Sequence, residues 1–421
     1  MQRIFCLALT LLVTGVPARA QDAPRQQPPT TPPDSREAVI AAERAEKQAQ
    51  LWPERQDAFV DLVNGLAERG LKEGLDSGKG ANGLQLTLGG MRPAQGMTYG
   101  IGYRRSDLLR DHLGYRATVR GTIGGAYMLD FDVDFRDLHT ERTYLRWYTK
   151  YEHSPAIDYF GQGNHTAESA RASYRFDDVS SDFAAAFTPV RYVRLGATGG
   201  VYSAHTAPSG EEGLPPIDQA FPVEDLLGFH EDTTYTRIGL FAFFDSRDSL
   251  TGPRAGGIYG ARYREYWDVE RKEFAFRQTE FEAQHYFPYL GRDRVLALRA
   301  AVVLSFPKAG NVVPIYLQPM LGGSDDLRGF VPYRFRDYHS LSLGVEHRWH
   351  AFSVLDMALF ADAGKVVQHK DDLTPNQLHY SGGLGFRVRL RSAIVTRVDI
   401  AGSNEGLRFI CTFSDIFAIK F

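Results

Sequence analysis

The sequence predicts an all-β protein: a transmembrane antiparallel β-barrel of about sixteen strands, preceded by a short helical or extended arm. Three observations predict it. From about residue 84 to the C-terminus, apolar and charged residues alternate with period two in segment after segment. The N-terminus has the form of a secretory signal. No apolar run reaches the roughly 18–20 residues that a transmembrane helix needs. The composition agrees, with 41 Gly, 27 Phe and 21 Tyr in one exported chain. Glycine suits tight turns, and aromatic side chains suit the level of lipid headgroups. A charged fraction of 24% with a formal net charge of −3 points to no nucleic-acid partner.

The signal occupies residues 1–20. Met1-Gln2-Arg3 is followed by an apolar run from Ile4 to Val16, then Pro17 and Ala18-Arg19-Ala20. Small residues at the −3 and −1 positions predict cleavage after Ala20, leaving Gln21 as the new N-terminus. Cys6 leaves with the signal, so Cys411 has no partner for an internal disulfide. Residues 21–34 form a Pro/Gln/Thr-rich linker. Residues 35–83 read as a periplasmic arm. Ser35 with Glu37 and Ala38 suits a helix start. Val39, Ala42, Leu51, Phe59, Leu62, Val63 and Leu66 are spaced as helical faces, and Pro53 divides them. The arm is either a tether or a cap or plug helix.

Residues 84–421 are assigned to the barrel. The clearest strand sets Tyr127, Leu129, Phe131, Val133 and Phe135 against Asp130, Asp132, Asp134 and Arg136. Leu145, Trp147 and Tyr151 oppose Arg146, Lys150 and Glu152. Leu341, Leu343, Val345 and Trp349 oppose Ser340, Ser342, Glu346 and Arg348. Tyr380, Leu384, Phe386, Val388 and Leu390 oppose Arg387, Arg389 and Arg391. So many charges on one face would be costly in a sandwich core, whereas a barrel gives them a wet lumen. The expected strands are 95–106, 113–124, 126–137, 141–153, 167–177, 182–188, 190–204, 233–247, 256–268, 273–287, 294–306, 338–350, 354–366, 378–391, 392–402 and 405–421. The long connections 205–232 and 307–337 fall on one side, and turns such as Gly124-Gly125 and Pro189 are expected on the other. The 154–166 connection is longer than that pattern prefers. Counting back by twos from Phe421 gives Ile419, Phe417, Asp415, Phe413, Cys411, Phe409 and Leu407, all apolar but Asp415. Phe409, Phe413, Phe417 and Phe421 look like the terminal-strand signal read by the barrel-insertion machinery.

Five motifs then follow in one order. They are Phe244-Asp245-Ser246-Arg247-Asp248 with Pro253-Arg254-Ala255-Gly256, Gln284-His285-Tyr286-Phe287-Pro288, and Leu321 to Phe330 (LGGSDDLRGF). Gly344-Val345-Glu346-His347-Arg348-Trp349 and Phe360-Ala361-Asp362-Ala363-Gly364-Lys365-Val366 complete the set. Together they resemble the bacterial surface antigen barrel of the BamA/TamA-like superfamily, over roughly 233–421. The resemblance implies a sixteen-stranded barrel whose sixth outer loop folds back into the lumen. The implied loop tip is Arg328-Gly329-Phe330, with Glu346 and Asp362 as its lumen partners. A guanidinium inside a lumen is satisfied by carboxylates that meet its fork, and Gly329 would let the backbone turn. Residues 21–83 show no POTRA-like module of the kind such barrels usually carry.

No pattern of catalytic chemistry emerges. Asn164-His165 with Ser169 could suggest a barrel phospholipase, but no partner motif accompanies it. His205, His230 and His285 read as wet loop or lumen histidines, and Asp130, Asp132 and Asp134 as a solvated lumen wall. No metal site and no cofactor is expected. The family implies a barrel that is not an enzyme and that helps insert or transport proteins or lipids at the outer membrane of a Gram-negative bacterium. The alternative is a passive channel or surface-exposed structural barrel. The expected partners are outer-membrane lipids, the barrel-insertion machinery and a periplasmic protein.

Overall fold

A computed structural model describes residues 82–92, 96–136, 142–211, 213–250, 252–290, 293–352, 355–390 and 393–412. The signal, the linker, the arm to residue 81, and Phe413, Phe417 and Phe421 lie outside the described residues.

Among the described residues, sixteen strands form one antiparallel sheet in which each pairs with its neighbour in sequence. They are β1 (Gly83–Leu88), β2 (Thr98–Leu108), β3 (Leu113–Thr122), β4 (Tyr127–Arg136), β5 (Thr143–Tyr159), β6 (Ala172–Phe187), β7 (Val193–Pro208), β8 (Thr233–Asp245), β9 (Gly256–Asp268), β10 (Phe276–Tyr289), β11 (Arg294–Pro307), β14 (His339–Phe352), β15 (Leu355–Val367), β16 (His379–Leu390), β17 (Ala393–Ser403) and β18 (Gly406–Thr412). The remaining pair, β12 (Met320–Leu321) and β13 (Phe335–Arg336), makes a small ribbon within the connection 308–338. β1 and β18 are the end strands of the sheet. Among the described residues no helix is long and apolar enough to cross a membrane.

The burial pattern is the reverse of a water-soluble protein's. Leu84, Leu86, Ile101, Val119, Phe183, Leu240, Leu359 and Phe409 are exposed, while Asp130, Glu152, Arg328, Glu346, Arg387 and Asp399 are buried. Alternation puts the first set outward and the charged set inward, as a lipid-facing wall around a polar interior requires. On the outer face, toward the short-turn end of the strands, a row of rings runs Tyr103, Tyr115, Phe131, Trp147 and Phe183. Successive centroids lie 6.2, 6.3, 5.8 and 5.8 Å apart.

The expected count of sixteen is met through two compensating differences. The segments 167–177 and 182–188 are one strand, β6, and β1 was not anticipated. Ser181 interrupts the outward apolar row of β6, but Trp147 donates its indole N–H to the Ser181 hydroxyl at 3.0 Å, so the strand continues. β5 also runs past residue 153, through a register shift between Ser154 and Ile157 that reverses the alternation. The connection after β5 therefore spans 160–171 and lies on the side of the two longest loops. The same recount corrects Gly124-Gly125, which joins β3 to β4 on the long-loop side. The Pro189 turn, between β6 and β7, stays on the short-turn side.

The long-loop mouth of the barrel is filled by its own connections. Ile217 in α1 (Ile217–Ala220), Leu226, Phe229, Val313, Ile315 and Tyr316 pack against inward rings such as Tyr174, Phe176, Tyr202, Tyr235 and Tyr266. This core sits among the inward-facing side chains at the long-loop end of the strands.

Candidate functional site

The connection 308–338 is the longest described loop, and its tip is shaped by local chemistry. Gly322 and Gly323 adopt φ angles of 119° and 97°. A Cβ on Gly322 would lie 2.2 Å from the Val331 carbonyl oxygen. Only glycine fits that backbone. The Asp326 carboxylate accepts the N–H groups of Gly322 at 2.7 Å and Leu327 at 2.6 Å, closing the turn. Burial pushes the Asp326 carboxyl up to about 6. Leu321, Leu327, Phe330, Phe335 and Val366 form an apolar anchor beneath it.

Arg328 then projects from the tip into a fully buried ionic cluster. Its Nε and Nη2 donate to the two Asp362 carboxylate oxygens at 2.8 and 2.7 Å, and its Nη1 donates to Glu346 Oε2 at 2.8 Å. The guanidinium carbon lies 3.3 Å from the Phe360 ring centre. A planar fork over an aromatic face, bonded edge-on to a carboxylate, is the geometry that favours Arg over Lys. Glu346 and Asp362 come from neighbouring strands, β14 and β15, on whose polar faces the alternation placed them. Phe330 packs edge-on to Phe335 and His379 at 5.2 and 5.6 Å. Gly329 does not carry a positive φ; close packing explains it instead. A Cβ there would lie 2.6 Å from Ser381 Cβ and 2.8 Å from the Gly402 carbonyl oxygen.

The cluster extends past the residues that the motifs single out. Arg348 Nε donates to Glu346 Oε1 at 2.7 Å. Arg387 on β16 donates from Nη2 to Glu346 at 2.9 Å and from Nη1 to Asp399 at 2.5 Å. Arg397 on β17 pairs with Asp399 at 3.1 Å, and its Nη2 donates to the Ser324 carbonyl at 2.6 Å. Arg328, Arg348, Arg387 and Arg397 thus surround Glu346, Asp362 and Asp399. Period-two alternation marks the six of these that lie on strands as inward-facing. It carries no sign of which loop atom each would meet.

The other sequence candidates fall elsewhere. Phe409 is exposed on the outer face of β18, as is the free Cys411. Asn164 donates to the Gln377 carbonyl at 2.9 Å and accepts the Val366 N–H at 3.1 Å, tying its loop to β15 and to the connection after it. That use of both polar groups is structural. His205 and His285 are corrected: both take the outward parity of their strands. His285 meets the Tyr259 hydroxyl at 2.5 Å and lies 4.1 Å from the Phe287 ring, among outward-facing aromatic side chains. His230 is in a loop, 3.5 Å from Asp218. Asp130, Asp132 and Asp134 do line the lumen, each in an arginine pair: with Arg120 at 3.1 Å, with Arg146 at 2.8 Å, and with Arg136. Among the described residues no group of carboxylate, His or Cys side chains is arranged to hold a metal ion.

The site offers docking rather than bond-making chemistry. Comparison with known proteins gives it a setting. The description of the Omp85 superfamily domain matches residues 113–401, more than half of the chain. Among solved structures, BamA from Haemophilus ducreyi lacking POTRA domains 1–3 aligns with a TM-score of 0.57 at 14% identity, over 79% of this chain and 71% of that one. CdiB from Escherichia coli aligns with a TM-score of 0.50 at 13% identity, over 78% of this chain and 61% of that one. The chain thus spans less than two thirds of that CdiB. At these identities the likeness concerns the fold. No curated protein matches the sequence.

Proposed function

The chain belongs to the Omp85 superfamily, and from that premise we propose that it is an outer-membrane barrel of a Gram-negative bacterium that assists the insertion or transport of proteins or lipids. The observation that carries this reading is the buried docking of Arg328 between Glu346 and Asp362. A loop drawn into the lumen through one arginine set among six buried charged groups of the strands is an elaborate and costly feature. A purely structural barrel does not need it. The role we assign to Arg328-Gly329-Phe330 is to hold the loop against β14 and β15 while the end strands of the sheet serve as the working edge. Phe409, with Phe413, Phe417 and Phe421, would be the signal by which the chain's own barrel is inserted. Lipids, the insertion machinery and a periplasmic protein are the partners this reading requires. It requires no catalytic residue.

The alternative, a passive channel, is disfavoured by the apolar core that occupies the long-loop mouth. Depletion of the protein, with other outer-membrane barrels then quantified, tests the proposal together with bilayer conductance of the purified chain. A loss of folded barrels with small, intermittent conductance is expected. Normal barrel levels with a large steady conductance would establish the channel instead. Recovery of the mature chain in the soluble periplasm would overturn both.

A further inference from the structure

A second buried arginine in the plugging loop holds a different part of the barrel. Arg334 is 3% exposed. Its Nε donates to both Glu405 carboxylate oxygens, at 2.8 and 3.1 Å. Its Nη1 donates to the Thr166 hydroxyl at 2.8 Å and its Nη2 to the Thr166 carbonyl at 2.5 Å. The guanidinium carbon lies 5.0 Å from the Phe160 ring centre and 4.7 Å from that of Phe335. One side chain therefore joins the loop 308–338, the connection 160–171 and the turn 404–405.

That turn belongs to the end of the sheet. β18 pairs with β17 from Arg397↔Thr412 to Ser403↔Gly406 and, among the described residues, with no other strand. An end strand is held by one ladder, so contacts at its tip count for more than they would in mid-sheet. The plugging loop grips this tip twice. Besides the Arg334–Glu405 pair, the Ser403 hydroxyl donates to the Gly329 carbonyl at 2.8 Å, while accepting the Glu405 N–H at 3.1 Å. The Arg328 cluster fixes the loop to the wall formed by β14 to β17. Arg334 instead fixes the β17–β18 turn to the loop.

We propose that the Arg334–Glu405 pair is a latch coupling the lumen plug to the end strand, so that lifting the loop 308–338 also frees the outer end of β18. The inference rests on the reading above in which the sheet's edge is the working element. It adds the control of that edge by the plug. Glu405→Gln neutralises the latch at constant size, and Arg334→Gln removes the guanidinium with some loss of packing on Phe160 and Phe335. In the full-length protein, Arg334→Gln and Glu405→Gln should each speed amide exchange across 404–412 by at least about fivefold, the scale of a 1 kcal/mol coupling. Exchange across 127–136, in β4 toward the other end of the sheet order, should stay unchanged. The double variant should exceed neither single one by more than error. Arg328→Ala, which loosens the tip of the plug, should speed exchange at 404–412 in the native background and add less in Arg334→Gln, where only the Ser403–Gly329 contact is left to lose. Thr166→Val removes one acceptor and no charge, and should give a smaller rise in the same segment if the Gln variants do not insert. Additive effects of Arg334→Gln and Glu405→Gln, unchanged exchange at 404–412, or a rise that includes 127–136 would each overturn the latch. Coupled exchange without any effect of depletion on other barrels would overturn the proposed function and leave the latch standing. The reverse result would do the opposite.

Discussion

Replacing Arg328 by Ala orphans one carboxylate, and the structure says which. Glu346 keeps Arg348 at 2.7 Å and Arg387 at 2.9 Å, so it remains compensated. Asp362 receives two of the Arg328 side-chain bonds; without them it keeps the Ser381 hydroxyl at 3.3 Å and the residue 328 N–H at 3.3 Å. Breaking a fully buried pair by removing one partner costs about 3–5 kcal/mol, here mostly the penalty on Asp362. That shifts the docking equilibrium of the loop tip by roughly 10²- to 10⁴-fold. The assay is limited proteolysis of the loop 308–338 alongside the temperature at which the barrel loses its compact mobility on a gel. Arg328→Ala should insert, expose the loop to protease and melt earlier. Adding Asp362→Asn should recover part of the loss, about 1–3 kcal/mol, because a neutral amide no longer needs the cation. Adding Glu346→Gln should worsen it, since Arg348 and Arg387 then lose their shared acceptor. Arg328→Lys should rescue in part, since an ammonium cannot match the fork. Unchanged protease patterns in Arg328→Ala, or equal relief from both second substitutions, would refute this assignment of the charges.

Gly329→Ala should loosen the same tip by about 1–3 kcal/mol through overpacking against Ser381 and the Gly402 carbonyl, read by the same proteolysis. The Asp326 carboxyl gives a pH dependence of defined sign. Its folded value of about 6 lies above the ordinary carboxyl value, so the folded tip binds the proton more tightly than the unfolded chain. The tip should therefore gain protection as the pH falls from above 6 toward 4. Asp326→Asn should flatten that gain, whereas a pH dependence that survives in Asp326→Asn would assign it elsewhere. Leu240→Arg, at an exposed position in the middle of β8, should destabilise the membrane-inserted barrel by about 2–4 kcal/mol in urea titration from vesicles. No effect would mean that this face does not meet lipid.

The sequence alone determined the strands whose alternation is unbroken, such as Tyr127–Arg136, because period two is a local property of extended backbone. It failed where a local exception was repaired across strands. The outward Ser181 interrupts the apolar row of β6, where Trp147 supplies its hydrogen bond, and the bulge between Ser154 and Ile157 hides the last part of β5 by reversing its phase. β1 is short, begins at Gly83 and follows helix-patterned sequence, so its six residues carried too little signal. The site divided along the same line. Alternation turned Glu346, Asp362, Arg387 and Asp399 inward, and the motifs drew attention to Arg328. What alternation cannot give is height and angle around the barrel. Those depend on register summed over many strands and on a long loop folding back inside. Only the folded chain therefore decided that Arg387 shares Glu346, that Gly329 serves close packing instead of a turn, and that Arg334 reaches the β17–β18 turn 71 residues away.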